Sequence, residues 1–284
     1  MFKKKFLQSI VSPIIKKILH NLAKYYIIDK KYDQLVVYSH DTISAEINLD
    51  GFYEKDRLLC LVNFLKDKNF KTYNKIALDV GAYIGNHSIF FAKIFQEVLS
   101  FEPHPKSFEI LKINCKNFTN IKIHNFGCSN KNGKSFLRLK HTNVGGSSIS
   151  NGNHQRDFAV QVIKLDNFLR NSHKRIGLIK IDVEGHEEKV IDGCINLLKK
   201  NKPIIFMELK NKNNKIEPRI IKKLKLIGYS HFFELENKIK LNKFENNFFL
   251  STLDKLISIF LKNPILLKEI KKFKKKEYQN IVVL

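Results

Sequence analysis

Arginine is nearly absent. Arg57, Arg138, Arg156, Arg170, Arg175 and Arg219 are six of the 51 basic residues, which against 27 acidic ones leave a formal net charge of +24. Bidentate recognition of phosphates and base edges relies on arginine's planar fork, so the charge is a weak argument for a nucleic-acid partner. Lys, Asn, Ile and Phe are abundant from end to end, as a genome-wide compositional bias would produce. Cysteine is also sparse: Cys60, Cys115, Cys128 and Cys194 form no CxxC pair and no His-partnered metal spacing. Buried free thiols in a reducing, cytoplasmic compartment are expected. No stretch reaches the roughly 20 apolar residues of a membrane span. The opening, Met1 to Leu19, is basic, is broken by Pro13, Lys16 and Lys17, and precedes no small-residue cleavage site. It suits an amphipathic helix packed on its own domain or resting peripherally on a membrane surface, rather than a signal peptide.

The chain is organised around Ile76 to Gly85, IALDVGAYIG, followed by Asn86-His87-Ser88. An apolar run ending in Asp79, a turn bracketed by Gly81 and Gly85, and an apolar-periodic stretch read as strand, turn and helix. Gly81 lets the backbone approach a ligand closely, and the helix start offers free N–H groups. Seventeen residues after Gly85 a second apolar run ends in Glu102. Two strand ends thus put carboxylates on the rim of one crevice of a doubly wound, mostly parallel sheet, the place where such sheets bind ligands.

Residues 1–70 read as a helical and extended appendage, with extended stretches at Leu35 to His40 and Ile43 to Ile47 and a helix from Arg57 to Leu65. Residues 71–252 alternate strand and helix, the pattern of βαβ units in a Rossmann-like domain. The polar, glycine-bearing segment from Thr142 to Asp157 reads as a site-covering loop. Ile176 to Ile181 is a strand that leads through Asp182, Glu184, Gly185 and His186 into a helix reaching Leu198. Pro203 to Met207 is a buried strand that ends in Glu208. His231 to Leu235 and Asn247 to Ser251 are expected to pair as an antiparallel edge hairpin, and 253–284 to form a basic helical extension.

The glycine turn departs from G-x-G-x-x-G and lacks the Gly-Lys-Ser/Thr ending of a triphosphate loop. A ligand without phosphates, such as S-adenosylmethionine, fits better. Glu102 suits two ribose hydroxyls because an ionised acid accepts from both, and Asp79 suits an ammonium and the field of a sulfonium.

Four stretches, Asp79-Val-Gly-Ala-Tyr-Ile-Gly-Asn-His-Ser, Phe101-Glu-Pro-His-Pro with Asn114 and Asn117, Gly146-Ser-Ser-Ile, and Leu178-Ile-Lys-Ile-Asp-Val-Glu-Gly-His-Glu with Val190-Ile-Asp-Gly, resemble the FkbM family of methyltransferases. The resemblance implies a class I Rossmann-like methyltransferase fold, S-adenosylmethionine as donor, and a hydroxyl acceptor on a sugar, glycan or other small metabolite. It gives Asp79, Gly81, Tyr83 and Gly85 to the donor turn and Glu102 to the ribose. Asp182, Glu184 and Gly185 match its most specific signature. Tyr83 stands where the family commonly has asparagine.

Methyl transfer to a weakly nucleophilic alcohol gains from alignment and a positioned base. Asp182 is the first candidate for that base, His186 the second and Glu184 the third, while capping of the following helix is the alternative for the two acids. His87 and His104 read as orienting or capping residues. Asp182, Glu184, His186 and Glu208 could gather round a divalent ion, but spacing does not establish it and no metal ligand is assigned. Methylation of RNA or protein, or a non-catalytic basic membrane- or nucleic-acid-binding protein with a degenerate site, are the competing readings that the charge suggests.

Overall fold

The computed structural model describes residues 12–14, 16–18, 20, 21, 24, 35–39, 41–138, 147–150, 157–209, 218–237, 265–274, 276 and 278–284. The chain divides into two units, Met1–Lys55 and Asp56–Leu284. In the first, the described residues between 12 and 24 are mostly helical, and Ile14 and Ile18, one turn apart, are exposed. Helix α1 (Thr42–Asp50) includes Ile43 to Ile47, which the sequence suggested to be extended. The two isoleucines fall four apart on one helical side, and Gly51 closes the helix in the left-handed conformation at φ 80, returning its N–H to Ile47 O.

The second unit, from Asp56, holds all but the first residue of α2 (Lys55–Asp67). Next come β1 (Ile76–Val80), α3 (Asn86–Ala92), β2 (Glu97–Phe101), α4 (Pro105–Cys115) and β3 (Ile121–His124). A four-stranded insert then follows: β4 (Gly127–Cys128), β5 (Gly133–Arg138), β6 (Ser148–Ser150) and β7 (Asp157–Ile163), in the order β4-β7-β5-β6. Strand β6 occupies part of the segment expected to be a loop; residues 139–146 and 151–156 of that segment lie outside the described residues. After α5 (Leu165–Phe168) the main sheet resumes with β8 (Ile176–Ile181), α6 (Glu187–Asp192), α7 (Ile195–Asn201), β9 (Ile204–Leu209) and α8 (Arg219–Ile227). The helix expected through Leu198 is thus broken in two at Gly193, where a Cβ would meet Ser129 O at 1.9 Å.

The main sheet runs β11-β10-β12-β9-β8-β1-β2-β3, with β9, β8, β1, β2 and β3 all parallel. Strands β10 (Phe232–Asn237), β11 (Ile265–Glu269) and β12 (Tyr278–Val283) form the antiparallel end. The C-terminal segment is therefore strand from Ile265 to Glu269 and from Tyr278 to Val283, and not a helical extension; the described residues include nothing of 238–264, where the expected partner strand Asn247 to Ser251 lies. A period of two runs through the start of β11. Ile265 and Leu267 pack towards the core while Leu266 between them is exposed.

Strand alternation splits the core between two faces. Ile76, Leu78 and Val80 pack with Val190, Ile191, Leu198, Ile221 and Leu224 from α6, α7 and α8. Ala77, Val98, Leu178 and Phe206 face α2 and α3 through Leu58, Leu61, Phe91 and Phe95. The switch in winding direction falls between β1 and β8. Among the described residues no helix is long and apolar enough to cross a membrane. Cys115, Cys128 and Cys194 are buried thiols and Cys60 is half-buried; burial raises the pKa of all four, that of Cys115 to about 12.

Strand β12 lies inside the sheet between β9 and β10, and Ile281 is fully buried. Truncating Ile281→Ala is expected to cost roughly 2–5 kcal/mol in urea unfolding. A solvated helical tail at this position would show a change near zero.

Candidate active site

The site is built where β1 and β8 part. Beyond Val80 the chain turns through Gly81 at φ 80, and a Cβ there would stand 1.9 Å from Asp182 O, so only glycine permits the approach. Gly81 N and Ala82 N both donate to Phe101 O at 3.0 Å, which pins the turn on the end of β2. Tyr83 is left-handed at φ 52. That conformation costs an ordinary side chain about 1–2 kcal/mol but is tolerated by asparagine, which accounts physically for the residue the resemblance led one to expect. Gly85, at φ 95, opens α3, and a Cβ there would press on Leu111 and Cys115 of α4. Asn114 of α4 donates to Ile84 O at 2.7 Å.

Glu102 sits beside that turn, 7% exposed, with Oε2 accepting from Tyr83 N at 2.8 Å and Oε1 from His104 N at 2.7 Å. Each oxygen retains a lone pair for a further donor. Burial pushes its pKa up to about 7, opposed by the two backbone N–H groups and the Lys180 charge and assisted by the Asp79 charge. His104 is the N-cap of α4, its Nδ1 accepting from Ser107 N at 3.3 Å, which is the capping role expected of it. Asn125 donates to Glu102 O at 2.9 Å and fixes the strand end from the next loop.

Asp79 lies beneath the turn rather than on its rim. It is fully buried, and its Oδ2 accepts from Ser88 Oγ at 2.6 Å, which in turn receives Ser100 Oγ at 2.8 Å. Lys180 Nζ stands 3.1 Å from Asp79 Oδ1, an ion-pair distance without hydrogen-bond alignment, and donates to Gly81 O at 2.6 Å. Asp79 therefore braces the turn from below. Register explains the cluster. Asp79 pairs with Ser100 on β2 and with Lys180 on β8, so the three side chains stand abreast where the α3 face of the sheet would otherwise be apolar. Lys180, Ser88 and Ser100 are the participants that sequence reasoning missed.

Across the crevice, Asp182 N donates to Val80 O at 3.0 Å and its Oδ2 lies 3.9 Å from Lys180 Nζ. Asp182 is half-buried, on the loop after β8 whose Glu184 (φ 55) and Gly185 (φ 98) are both left-handed. Asp182, Glu184 and Glu208 each place one carboxylate oxygen within 4.8 Å of the others. Such oxygens can share a divalent cation, but crowded acids alone do not assign one. His186 is not part of that group. It is buried, its Nε2 meets Ser129 Oγ at 2.9 Å, and burial, followed by the charges of Lys189 and Lys131, lowers its pKa to about 4. An imidazole so placed ties the loop to the insert and is a poor proton acceptor near neutrality. His87 is buried against Phe91.

The insert borders the same crevice. Phe158 of β7 contacts the His104 ring at 5.6 Å between centroids, and Ser129 follows β4. A separate cavity of about 360 Å³ lies at the other end of β8, between α5 and α7, lined by Asp166, Arg170, Ser172, Lys174, Lys200 and Asn201 among others. It is remote from the glycine turn, because Ile176 begins the strand that Asp182 follows, and the doubly wound topology favours the turn as the ligand site.

Solved structures with a similar arrangement include an FkbM methyltransferase from Methylobacillus flagellatus (12% identity, TM-score 0.40, covering 74% of this chain and 43% of that one). A precorrin-6y C5,15-methyltransferase from Geobacter metallireducens is 11% identical (TM-score 0.39, 78% and 86% covered). Fibrillarin of Aeropyrum pernix, solved with natively bound S-adenosyl-L-methionine, is 12% identical (TM-score 0.36, 62% and 64% covered). This chain thus spans less than half of the M. flagellatus protein, and likenesses this distant bear on neither substrate nor donor. No curated protein matches the sequence. The methyltransferase FkbM domain matches residues 79–256, which include the glycine turn, Glu102 and the Asp182 loop; with more than half of its length in that match, the chain belongs to the FkbM methyltransferase family.

Proposed function

We propose that the protein is an S-adenosylmethionine-dependent O-methyltransferase whose acceptor is a hydroxyl on a sugar, glycan or other small metabolite. The observation that carries the donor assignment is Glu102: a carboxylate at the end of β2, held by the Tyr83 and His104 N–H groups against the glycine turn. The donor fits these residues in three ways. Glu102 keeps two acceptor positions for a pair of ribose hydroxyls. Gly81 keeps the backbone clear where a Cβ would collide with Asp182 O. The turn carries no lysine-tipped phosphate loop, which suits a ligand without phosphates.

When bound, S-adenosylmethionine supplies a sulfonium-held methyl group open to in-line displacement. Asp182, facing the turn from β8, takes the hydroxyl proton of the acceptor as its oxygen attacks. Glu184 shares the loop and its field. His186, neutral and bonded to Ser129, holds that loop on the insert, whose β4 and β7 supply one wall for an acceptor.

Isothermal titration with S-adenosylhomocysteine tests the donor site. Glu102→Gln keeps the shape and loses the charge, and its affinity is expected to fall by roughly tenfold to a hundredfold, the worth of hydrogen bonds to a charged group. Equal affinity in the variant would remove the donor assignment. The pH profile gives an independent check. Ribose hydroxyls bind the ionised carboxylate, so binding draws Glu102 towards ionisation and releases protons. With its pKa near 7, affinity is expected to rise from pH 6 to pH 8 by up to about tenfold. A flat profile would mean that Glu102 does not receive the ligand.

A further inference from the structure

We infer that Lys180 is a positioning residue for the donor site: one buried ammonium that anchors the glycine turn by its carbonyl and serves as shared counter-ion to Asp79 and Asp182. The inference rests on the donor reading above for what the turn holds, and on its own geometry for the rest.

Lys180 occurs in Ile176–Ile181, a strand buried along its whole length, and the lysine is itself only 3% exposed. A lysine in such a place must be paired and hydrogen-bonded or it loses its charge. Its ammonium is 2.6 Å from Gly81 O, 3.1 Å from Asp79 Oδ1 and 3.9 Å from Asp182 Oδ2. These three contacts join the three chain segments that make the crevice: the end of β1, the turn after it and the loop after β8. The Gly81 contact matters most for position. Gly81 carries no side chain to hold it; its N–H is taken by Phe101 O, and Lys180 grips its carbonyl from below. Ser88 on α3 holds the other oxygen of Asp79, so helix, turn and two strands meet at one carboxylate–ammonium pair.

The same charge reaches Glu102. The groups facing that carboxyl are Asp79 from β1, Lys180 from β8, the Tyr83 N–H from the turn and the His104 N–H at the head of α4; Cys115 further along α4 is a neutral thiol beside Asp79. Of the charges, Lys180 favours ionised Glu102 and Asp79 opposes it. Removing the ammonium should therefore do two separable things: loosen the turn, and move the ionisation of Glu102 to higher pH.

The test is S-adenosylhomocysteine titration of the full chain from pH 5.5 to 9 for wild type, Lys180→Met and Lys180→Arg, with circular dichroism and thermal melting on each. Wild type is expected to show a midpoint near 7. Lys180→Met should bind about tenfold more weakly at pH 8, the loss of a charge-assisted hydrogen bond, with its midpoint displaced upward. Lys180→Arg should recover the midpoint and most of the affinity. A purely structural role would lower the melting temperature while leaving the affinity and midpoint of the folded fraction unchanged, and that result would overturn the inference. If Lys180→Met does not fold, the Asp79→Asn/Lys180→Met double variant removes both buried charges and should fold with weakened binding at pH 8; wild-type affinity in the double variant would overturn the inference equally. Failure of wild type itself to bind would instead strike the donor reading, and the Lys180 inference with it.

Discussion

The site depends on one close approach. Gly81 passes so near Asp182 O that a methyl group on its Cα would sit 1.9 Å from the carbonyl oxygen. That contact keeps the ends of β1 and β8 together just as their chains leave the sheet in different directions, and Asp182 N on Val80 O completes it. Everything else at the crevice is attached to this joint. The turn leans on Phe101 O, which sets it beside Glu102, and Gly85, four residues later, is the N-cap of α3. A larger residue at 81 would part the strands and separate Glu102 from the Asp182 loop.

A buried polar layer stiffens the joint. Towards the C-terminal end of the sheet the apolar face made by Ala77, Val98 and Leu178 gives way to Asp79, Ser100 and Lys180, with Ser88 above them. Burying these groups in an otherwise apolar sheet is costly unless each is satisfied. Here Ser88 donates to Asp79 and receives Ser100, and Lys180 stands as counter-ion to Asp79 and donates to the backbone of the turn. The layer fixes where the turn stands, while the partly exposed acids Asp182, Glu184 and Glu208 remain at the surface of the crevice. The buried layer is thus held rigidly below, and the acids of the crevice stand above it.

Much of this was legible in the residues. The glycine turn, the parallel strands and Glu102 all follow from local pattern, since apolar runs ending in an acid and left-handed glycines are fixed within a few residues of chain. What local pattern does not carry is register. That Lys180 stands directly opposite Asp79 is a property of how β8 aligns with β1 across about a hundred residues, and a lysine inside Leu-Ile-Lys-Ile was the one sign of it: a charge in a buried run demands a partner. The same limit applied to Asp79, whose position before the turn was evident but whose downward orientation was not. At the C-terminus, the lysines that follow Leu267 imitated a solvated helix, and the long-range pairing with β10 shows the strand. His186 looked accessible beside Gly185; its burial comes from Ser129, 57 residues earlier in the chain.

The most direct measurement is a crystal structure of the full chain with S-adenosylhomocysteine. The ribose hydroxyls should lie within hydrogen-bond distance of Glu102, with the Gly81–Gly85 turn along the ligand and the Asp182 loop facing the sulfur. Ligand found instead in the cavity between α5 and α7, or in the crevice with its ribose away from Glu102, would contradict the central claim that the turn after β1 and the acid after β2 together hold the methyl donor.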